Sequence, residues 1–463
     1  MIKLVLSPAM KALDASEGSI GVDITLEDYS AEAGELILKI SKKTIMKTFL
    51  EFIREIKITD DEGEIPCEIT EGDGGSYVTA VSYFAGRKTS GNIKVSYSCR
   101  VPLAGGNPCF DLGVENGGMT GSGMTFIPAF REGKYEYSVK WDLSGMPDFC
   151  VGCWSFGEGN VTGIRGDENL ASITFYMAGR PECVKYGRYA FYWFEHNDRI
   201  LKYAVDTSAI FEYEADFFND HELRYNVFCR KLRSEKDLAG GTALDRSYIY
   251  GYSDFDRIPH ESIIHTFAHE MVHNWMEMDN SPFGTCTWYI EGGAEYYSAV
   301  LPYRMGILSR EEFRDAMNRR AVAYYKNRYR HVDDMEPAGK LFADSEIMNV
   351  PYGRGFCYLT HADEEIRRKT DGKHSLDDIA KKLAEMYKSD RHIQNEAWLE
   401  EYAKYVGREQ AEQELRDLKA GKDIVPGALC SEGALRLTQV PDKENVTDKD
   451  ILVWKYELTE EEK

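Results

Sequence analysis

Two histidines four residues apart, with a glutamate directly after the first, carry the clearest chemistry in the sequence: His269-Glu270-Met271-Val272-His273. On a helix, residues four apart lie on the same face, so both imidazoles can bind one tetrahedral metal ion. Glu270 would then lie near the open coordination position, where a carboxylate can take a proton from water that zinc has acidified. Composition alone would produce this pattern roughly 0.04 times in a chain of this length, so chance is a poor explanation.

A third ligand is available eighteen positions beyond His273, at Glu291. A second helix carrying Glu291 would complete a zinc site of two histidines and one glutamate. Glu295, one helical turn further on, would lie on the same face and could accept a hydrogen bond from a ligating histidine. The alternative for two such acids is a solvated helix face, which the neighbouring histidine motif disfavours.

The histidine motif and the block Trp288-Tyr-Ile-Glu-Gly-Gly-Ala-Glu-Tyr-Tyr297 together resemble the gluzincin zinc metallopeptidases. The resemblance is to the aminopeptidase N family and to the related glycyl aminopeptidase family. It implies an α+β multidomain fold, in which a β-rich, sandwich-like N-terminal domain precedes a mainly helical, thermolysin-like catalytic domain. It also implies one zinc ion per chain and these site residues: His269, His273 and Glu291 as ligands, Glu270 as general base, and Glu295 as an acid behind a ligand.

A second match lies at Val350-Pro-Tyr-Gly-Arg-Gly-Phe356, which resembles the Pro-Tyr-Glu-Lys-Gly segment of these families. In them, the tyrosine donates a hydrogen bond to the oxyanion that forms on the substrate, and this role carries over to Tyr352. A phenol aimed at charge that develops in a dry site stabilises the transition state. Two further segments, Arg304–Phe313 and Glu365–Asp378, resemble the glycyl aminopeptidases.

One substrate-binding feature of these families is incomplete here. Their glycine-rich strand upstream of the zinc helix ends in a glutamate that binds the free amino terminus. Its counterpart begins with Gly240, Gly241 and Thr242, which we predict to bind substrate because glycines allow close approach of a peptide backbone. No glutamate follows, and Asp245 could replace it only after a shift in register. Exopeptidase and endopeptidase cleavage therefore both stay open, as does the alternative of turn glycines without a substrate role.

His265 lies four residues before His269, so three histidines follow one helical face. We predict that His265 is a locally hydrogen-bonded histidine and not a metal ligand. Ile290 stands where an asparagine commonly precedes the third ligand in these families, which removes a possible hydrogen bond near the metal. The gap from His273 to Glu291 is one residue shorter than usual in the aminopeptidase N family, a change that a shorter loop can absorb.

The bulk composition is that of a soluble globular protein, with 463 residues, 43% of them apolar and 29% charged. This length predicts two or three domains. The net charge of −22 argues against a nucleic-acid partner, because phosphate binding needs clustered Lys and Arg. We expect no signal peptide, because Pro8 and Lys11 interrupt the first apolar residues, and no stretch approaches the roughly 20 consecutive apolar residues of a spanning helix. A cytoplasmic protein without a membrane partner is predicted, with reduced thiols that include the close pair Cys150 and Cys153.

The elements that must position these residues fall into three regions. Residues 1–185 are predicted to form the β-rich domain, a sandwich or barrel, because alternating apolar runs are separated by glycine clusters. Three of these runs are Ile20–Leu26, Ile93–Cys99 and Tyr135–Leu143.

Residues 186–425 are predicted to form the catalytic domain, which becomes helical from Pro259 onward. Three signals mark its helices. Ser309–Glu312 is a capping box that begins a helix running towards Tyr329, and Ser375–Asp378 is a second capping box. Asp371-Gly372 between them is a helix stop. Residues 426–463 are predicted to be a C-terminal extension. Alternation at Leu452, Trp454, Tyr456 and Leu458 indicates a strand there that returns to a sheet.

The sequence thus predicts a zinc-dependent, aminopeptidase-like metallopeptidase that acts on a peptide or protein substrate. Two alternatives remain open. A zinc-containing peptide-binding or scaffold protein that has lost turnover would explain the missing amine-binding glutamate. Hydrolysis of a non-peptide amide or an ester would use the same ligand set. The oligomeric state is not predicted.

Overall fold

The computed structural model describes residues 1–43, 53–73, 79–103, 111–232, 240–254, 258–340, 344–429 and 435–459. The chain divides into two compact units. The first contains Met1–Ser208 and Glu222–Arg257, and the second contains Ala209–His221 and Ile258–Lys463. The domain limits expected at residues 185/186 and 425/426 stay predictions.

The first unit is built mainly of strands. In chain order they are β1 (Ile2–Ala9), β2 (Glu17–Leu26), β3 (Leu36–Lys43), β4 (Ile53–Asp60), β5 (Gly63–Glu64), β6 (Cys67–Asp73), β7 (Thr79–Ala85), β8 (Ile93–Pro102), β9 (Gly113–Glu115), β10 (Gly118–Ser122), β11 (Ala129–Phe130), β12 (Lys134–Trp141), β13 (Val151–Trp154), β14 (Gly157–Glu158), β15 (Val161–Asp167), β16 (Phe175–Gly179), β17 (Glu182–Tyr186), β18 (Tyr189–Trp193), β19 (Tyr225–Lys231), β20 (Gly240–Leu244) and β21 (Ser247–Tyr252). Helix α1 (Asp198–Phe217) runs from this unit into the second.

A seven-stranded sheet with the order β15-β12-β1-β2-β8-β4-β5 forms one wall of the first unit. Two of the predicted apolar runs face each other across β2 and β8, where Ile20 pairs with Cys99 and Leu26 with Ile93. All four side chains are buried, as the alternation predicted. The third run also forms a strand, but β12 ends at Trp141 and leaves Leu143 beyond it.

Two further sheets share one hydrophobic core with this wall. Their orders are β14-β13-β16-β10-β9 and β11-β3-β7-β6. Residues of all three sheets, for example Ile24, Leu38 and Trp154, belong to a single buried cluster. Sheets whose inner faces meet in one core form a sandwich-like arrangement, and the predicted fold class is thereby confirmed.

A five-stranded sheet with the order β17-β18-β19-β21-β20 completes the first unit. Strands β18, β19 and β21 run parallel and are buried at nearly every position, which is typical of strands covered on both faces. Helix α1 makes the crossover from β18 to β19 that a parallel pair requires. Strand β20 pairs antiparallel with β21 and ends the sheet.

The second unit is mainly helical. Its elements are α2 (His260–Val272), α3 (Thr287–Arg304), α4 (Arg310–Lys326), α5 (Glu336–Gly339), α6 (Ser345–Met348), α7 (Val350–Lys369), α8 (Leu376–Ser389), α9 (Asn395–Val406), α10 (Arg408–Lys419) and a hairpin of β22 (Leu435–Lys443) and β23 (Asp450–Leu458). Helix α3 lies at the centre, since it is buried all round and packs against α2, α4 and α7. None of the described helices combines the length and apolar character needed to cross a membrane.

The predicted helix signals are confirmed. Ser309 and Ser375 each form both hydrogen bonds of a capping box, at the starts of α4 and α8. Asp371 and Gly372 both have positive φ directly after α7, which ends that helix. Helix α4 stops at Lys326, three residues before the predicted end.

The predicted C-terminal strand exists as β23, but its buried face is different from the one expected. Leu452 is 55% exposed, whereas Val453 and Tyr456 are buried. Strand β23 pairs with β22 in a two-stranded hairpin, and Asn318 of α4 forms two hydrogen bonds with the backbone of Tyr456. Because a twisted hairpin meets a helix at a few points, burial here does not follow the strict alternation of a sheet face.

The described cysteines are free thiols, Cys150 and Cys153 among them. Cys153 is buried on β13, and burial raises the pKa of its thiol above the ordinary range. This state agrees with the reduced cysteines that the sequence predicted.

Candidate metal centre

Helix α2 places the predicted ligand histidines in the interior of the second unit. Apolar side chains such as Ile264, Phe267 and Met271 are buried on several sides of the helix. His269 lies in the last turn of α2, and His273 caps that turn with α-helical backbone angles, φ −59° and ψ −14°. The four-residue spacing therefore keeps both imidazoles on one face, as predicted.

Glu291 joins the two histidines from the first turn of α3. Nε2 of His269 lies 3.2 Å from Nε2 of His273. The Glu291 Oε2 atom lies 3.4 Å from Nε2 of His269 and 3.5 Å from Nε2 of His273. Three atoms from three residues thus form a nearly equilateral triangle in which a metal ion can be held.

The electrostatics of this triangle are unequal. Burial lowers the pKa of His269 to about 4. Burial also opposes protonation of His273, but the hydrogen bond and negative charge of Glu291 outweigh it and raise the pKa of His273 to about 9. Burial disfavours the ionised form of Glu291 as well, yet its contacts with both histidines hold the pKa of this carboxyl below the usual range. The triangle therefore contains a carboxylate that attracts positive charge.

Each of the two histidines of the triangle turns its other ring nitrogen towards a carboxyl group. Oε1 of Glu295 lies 3.4 Å from Nδ1 of His269. The hydrogen bond that the sequence predicted between this acid and a ligating histidine stays a prediction. Oε1 of Glu277 lies 3.8 Å from Nδ1 of His273, and burial raises the pKa of Glu277 to about 7. Acids in these positions orient metal-binding imidazoles and raise their basicity. Glu277 was not predicted, although its position four residues after His273 was a usable signal.

A second group of possible ligands, His265, His269 and Glu295, lies beside the triangle. Here the guanidinium of Arg320 contacts both Nε2 of His265 and Oε2 of Glu295. Nδ1 of His265 lies 2.9 Å from the Ser298 hydroxyl, so this histidine has the local hydrogen bond that was predicted for it. A guanidinium thus already supplies positive charge to this second group. Nothing in the spacing of the sequence pointed to Arg320.

Tyr352 lies in the first turn of α7 with its ring stacked on that of His269, at a centroid distance of 5.9 Å and an interplanar angle of 9°. Burial, together with the negative charges of Glu291 and Glu270, raises the pKa of Tyr352 far above its usual value. The phenol is therefore a neutral hydrogen-bond donor at neutral pH. The charge of Glu270 also acts on His273. The predicted base and the predicted oxyanion donor thus both lie next to the triangle.

Close packing of α3 against α7 fixes Glu291 relative to Tyr352. An ideal Cβ on Gly292 would lie 2.4 Å from the carbonyl carbon of Gly355, and one on Gly355 would lie 1.8 Å from the carbonyl oxygen of Trp288. The helices cross where neither glycine leaves room for a side chain. Gly292 therefore serves helix packing.

The predicted substrate-binding residues Gly240, Gly241 and Thr242 lie in the other unit, on the edge strand β20. An ideal Cβ on Gly241 would lie 2.2 Å from the carbonyl oxygen of Ile249, so packing within the sheet already requires a glycine there. Asp245 follows in the two-residue turn between β20 and β21, and the pairing of these strands shows no register shift. The role of this strand in substrate binding stays a prediction.

No protein-family model and no curated protein sequence matches the chain. The chain does match solved structures. An aminopeptidase N family protein from Idiomarina loihiensis has a TM-score of 0.69 at 13% identity, with 96% of this chain and 80% of that chain covered. A glutamate-to-alanine variant of an M1 zinc metallopeptidase from Deinococcus radiodurans, bound to a Tyr-Ser-Ala substrate, has a TM-score of 0.52 at 16% identity, with 92% and 94% covered.

Leukotriene A4 hydrolase from Saccharomyces cerevisiae has a TM-score of 0.54 at 14% identity, with 92% of this chain and 68% of that chain covered. At these identities the likeness is one of fold. It confirms the multidomain fold that the resemblance implied. The chain thus has the fold of the aminopeptidase N family and of the M1 zinc metallopeptidases.

Proposed function

We propose that this protein is a zinc metallopeptidase of aminopeptidase-like specificity that binds one zinc ion through His269, His273 and Glu291. The observation that carries the proposal is the size of the ligand triangle. Tetrahedral zinc, with bonds of about 2.0–2.1 Å, has ligand atoms about 3.3–3.4 Å apart. The three edges measured here are 3.2, 3.4 and 3.5 Å. The residues present therefore fit the ion, in chemistry as well as in spacing.

A zinc ion held there would supply the Lewis acidity that polarises a carbonyl group and acidifies water. In our proposal Glu270 accepts the proton of the attacking water and later donates it to the leaving amine. Tyr352, kept neutral by burial and by the neighbouring carboxylates, donates its hydroxyl hydrogen to the substrate oxygen that gains negative charge. Glu295 and Glu277 hold the ligand imidazoles in orientation.

The proposed substrate is a peptide or a protein. A protein of similar fold has been solved with a bound tripeptide. Strand β20 ends its sheet, and an extended peptide can add to such an edge through backbone hydrogen bonds at Gly240, Gly241 and Thr242. Residues 240–244 include no acid that could pair with a free amino terminus. Cleavage of a mixed library of free and N-acetylated peptides, with and without a zinc chelator, tests the exopeptidase part of the proposal.

The decisive test is Glu270→Gln, which keeps the size of the side chain and removes its ability to accept the proton. We expect one zinc per chain by elemental analysis and a loss of turnover by at least about a hundredfold. Glu261→Gln, in the first turn of the same helix, is the matched control and should keep full activity. Undiminished activity of the zinc-loaded Glu270→Gln protein would refute the mechanism. Wild-type protein that binds zinc and retains peptides intact would instead favour the non-catalytic alternative.

A further inference from the structure

Glu295 is a buried carboxylate, 6% exposed, that three side chains contact. Its Oε1 faces Nδ1 of His269 at 3.4 Å, and its Oε2 faces Nε2 of His265 at 3.1 Å. The third contact is made by Nε of Arg320, which reaches the same Oε2 from helix α4. Glu295 therefore connects a metal-ligand candidate on α2 with a cation on α4.

A buried carboxylate needs a positive partner, because leaving water costs an ion several kcal/mol. Arg320 stays charged, since burial lowers the pKa of its guanidinium only to about 10. Among the described contacts of Glu295, the guanidinium of Arg320 is the permanent positive charge that pairs with this acid.

The position of Glu295 bears directly on His269. Its Oε1 faces Nδ1 of His269 at 3.4 Å. A carboxylate in this position can accept a hydrogen from Nδ1, which would place the lone pair of the imidazole on Nε2, the atom that faces His273 and Glu291. If Glu295 were free to rotate, this preference would be lost. Arg320, which contacts the other oxygen of Glu295, would thus act on the metal-facing nitrogen through one carboxyl group.

We propose that Arg320 is a positioning residue of the metal centre, which holds Glu295 in place against Nδ1 of His269 and thereby sets zinc affinity. The proposal rests on the zinc site proposed above. Arg320 does not touch the ligand triangle in the described contacts, so its positioning effect passes through Glu295, although its charge also acts on His269. Loss of a partner of this kind typically costs about 10- to 100-fold in metal affinity or activity.

The test is the zinc dissociation constant of the full-length protein, measured by competition with a chromophoric chelator. In Arg320→Met, which keeps the length of the side chain and removes its charge, we expect zinc to bind about tenfold or more weakly. Turnover at saturating zinc should fall with little change in KM. Arg320→Lys, which keeps the charge, should recover part of the affinity. The control is Arg304→Met, because Arg304 forms a comparable half-buried pair with Asp377 in the same unit and should leave zinc binding within about twofold.

Circular dichroism and thermal unfolding would show whether the variants are folded. If Arg320→Met does not fold, Glu295→Gln tests the same contact from its other end and should weaken zinc binding to a similar degree. In a folded Arg320→Met/Glu295→Gln double variant, the loss should not exceed that of Glu295→Gln alone, because both act through one contact. Equal zinc affinity in wild type, Arg320→Met and Glu295→Gln would overturn the inference. Wild-type protein that binds no zinc would overturn the proposed function instead.

Discussion

Gly292→Ala tests whether the crossing of α3 and α7 holds the site together. The added Cβ would lie 2.4 Å from the carbonyl carbon and 2.5 Å from the Cα of Gly355, and 2.7 Å from the nitrogen of Phe356. Carbon atoms in contact prefer about 3.5–4.0 Å, so the helices must separate by about 1 Å. All three neighbours are backbone atoms, and no change of rotamer can relieve the overlap.

The expected magnitude follows from two opposing terms. Overpacking of a tight interface lowers the free energy of unfolding by about 1–3 kcal/mol. A clash with backbone atoms should cost an amount at the upper end of this range or above it. Alanine gains about 1 kcal/mol over glycine in a helix interior, which offsets part of this cost. We expect a net loss of about 2 kcal/mol in the free energy of unfolding, which corresponds to a Tm lowered by about 4–8 °C for a unit of this size.

The assay is thermal unfolding combined with zinc affinity. Glu291 precedes Gly292 on α3, and Tyr352 lies on α7, so spreading the helices should weaken zinc binding as well. Gly339→Ala is the matched control, because a Cβ there would meet no atom within 4 Å. Gly355→Ala, whose Cβ would lie 1.8 Å from the carbonyl oxygen of Trp288, should be more damaging than Gly292→Ala. If Gly292→Ala behaves like the control in both measurements, the packing argument is wrong.

Three further predictions concern single residues. Tyr352→Phe should lower kcat by about 10²–10³-fold while KM and zinc content stay within about twofold, because it removes one donor to the developing charge; steady-state kinetics and elemental analysis check this. Glu214 is fully buried, no described side chain hydrogen-bonds its carboxyl, and burial raises its pKa well above the usual value. The pKa of the Glu214 carboxyl is higher in the folded than in the unfolded protein. The contribution of Glu214 to the free energy of unfolding is therefore fully present below pH ~4.5 and is lost as pH rises, by up to about 1.4 kcal/mol per pH unit. The Tm advantage of Glu214→Gln over wild type should therefore grow from pH 5 to pH 7, and a constant difference would contradict the assignment. Arg354 is buried and donates hydrogen bonds to the carbonyl oxygens of Arg330 and Val332 at 3.0 and 2.6 Å. Arg354→Met leaves these acceptors unpaired and should lower the free energy of unfolding by about 3 kcal/mol, as read from the thermal midpoint.

Features that depend on neighbouring residues could be predicted from the sequence. The capping boxes at Ser309 and Ser375 form within one helical turn, so four residues contain all the information needed. The buried face of β2 follows from the two-residue period of a strand. The spacing of His269 and His273 likewise determines that both rings lie on one helical face, whatever the rest of the chain does.

Features that depend on which elements meet could not be predicted in this way. The parallel pairing of β1 with β12 joins segments more than a hundred residues apart, and no local pattern distinguishes it from other pairings. The buried face of β23 is set by the helix against which the hairpin packs, and for this reason the alternation placed Leu452 on the wrong side. Arg320 contacts Glu295 only because α4 packs beside α3, and a sequence with two adjacent arginines at 319 and 320 does not show which one turns inward.

The charges around the two ligand histidines explain why this cluster favours a dication. Glu291 lies within the triangle, Glu295 and Glu277 lie behind it, and the charge of Glu270 acts on both His273 and Tyr352. Against these acids stand the guanidinium of Arg320, which Glu295 already engages, and the charge of Arg391, which acts on Glu277. Part of the imbalance is relieved by protons, since the pKa of His273 rises to about 9 and that of Glu277 to about 7. A Zn²⁺ ion bound at the triangle would take over this role, because coordination needs a neutral His273 and supplies two positive charges where that proton was. Zinc uptake should therefore displace protons, and the acids that look excessive without the ion are the ones that would balance its charge.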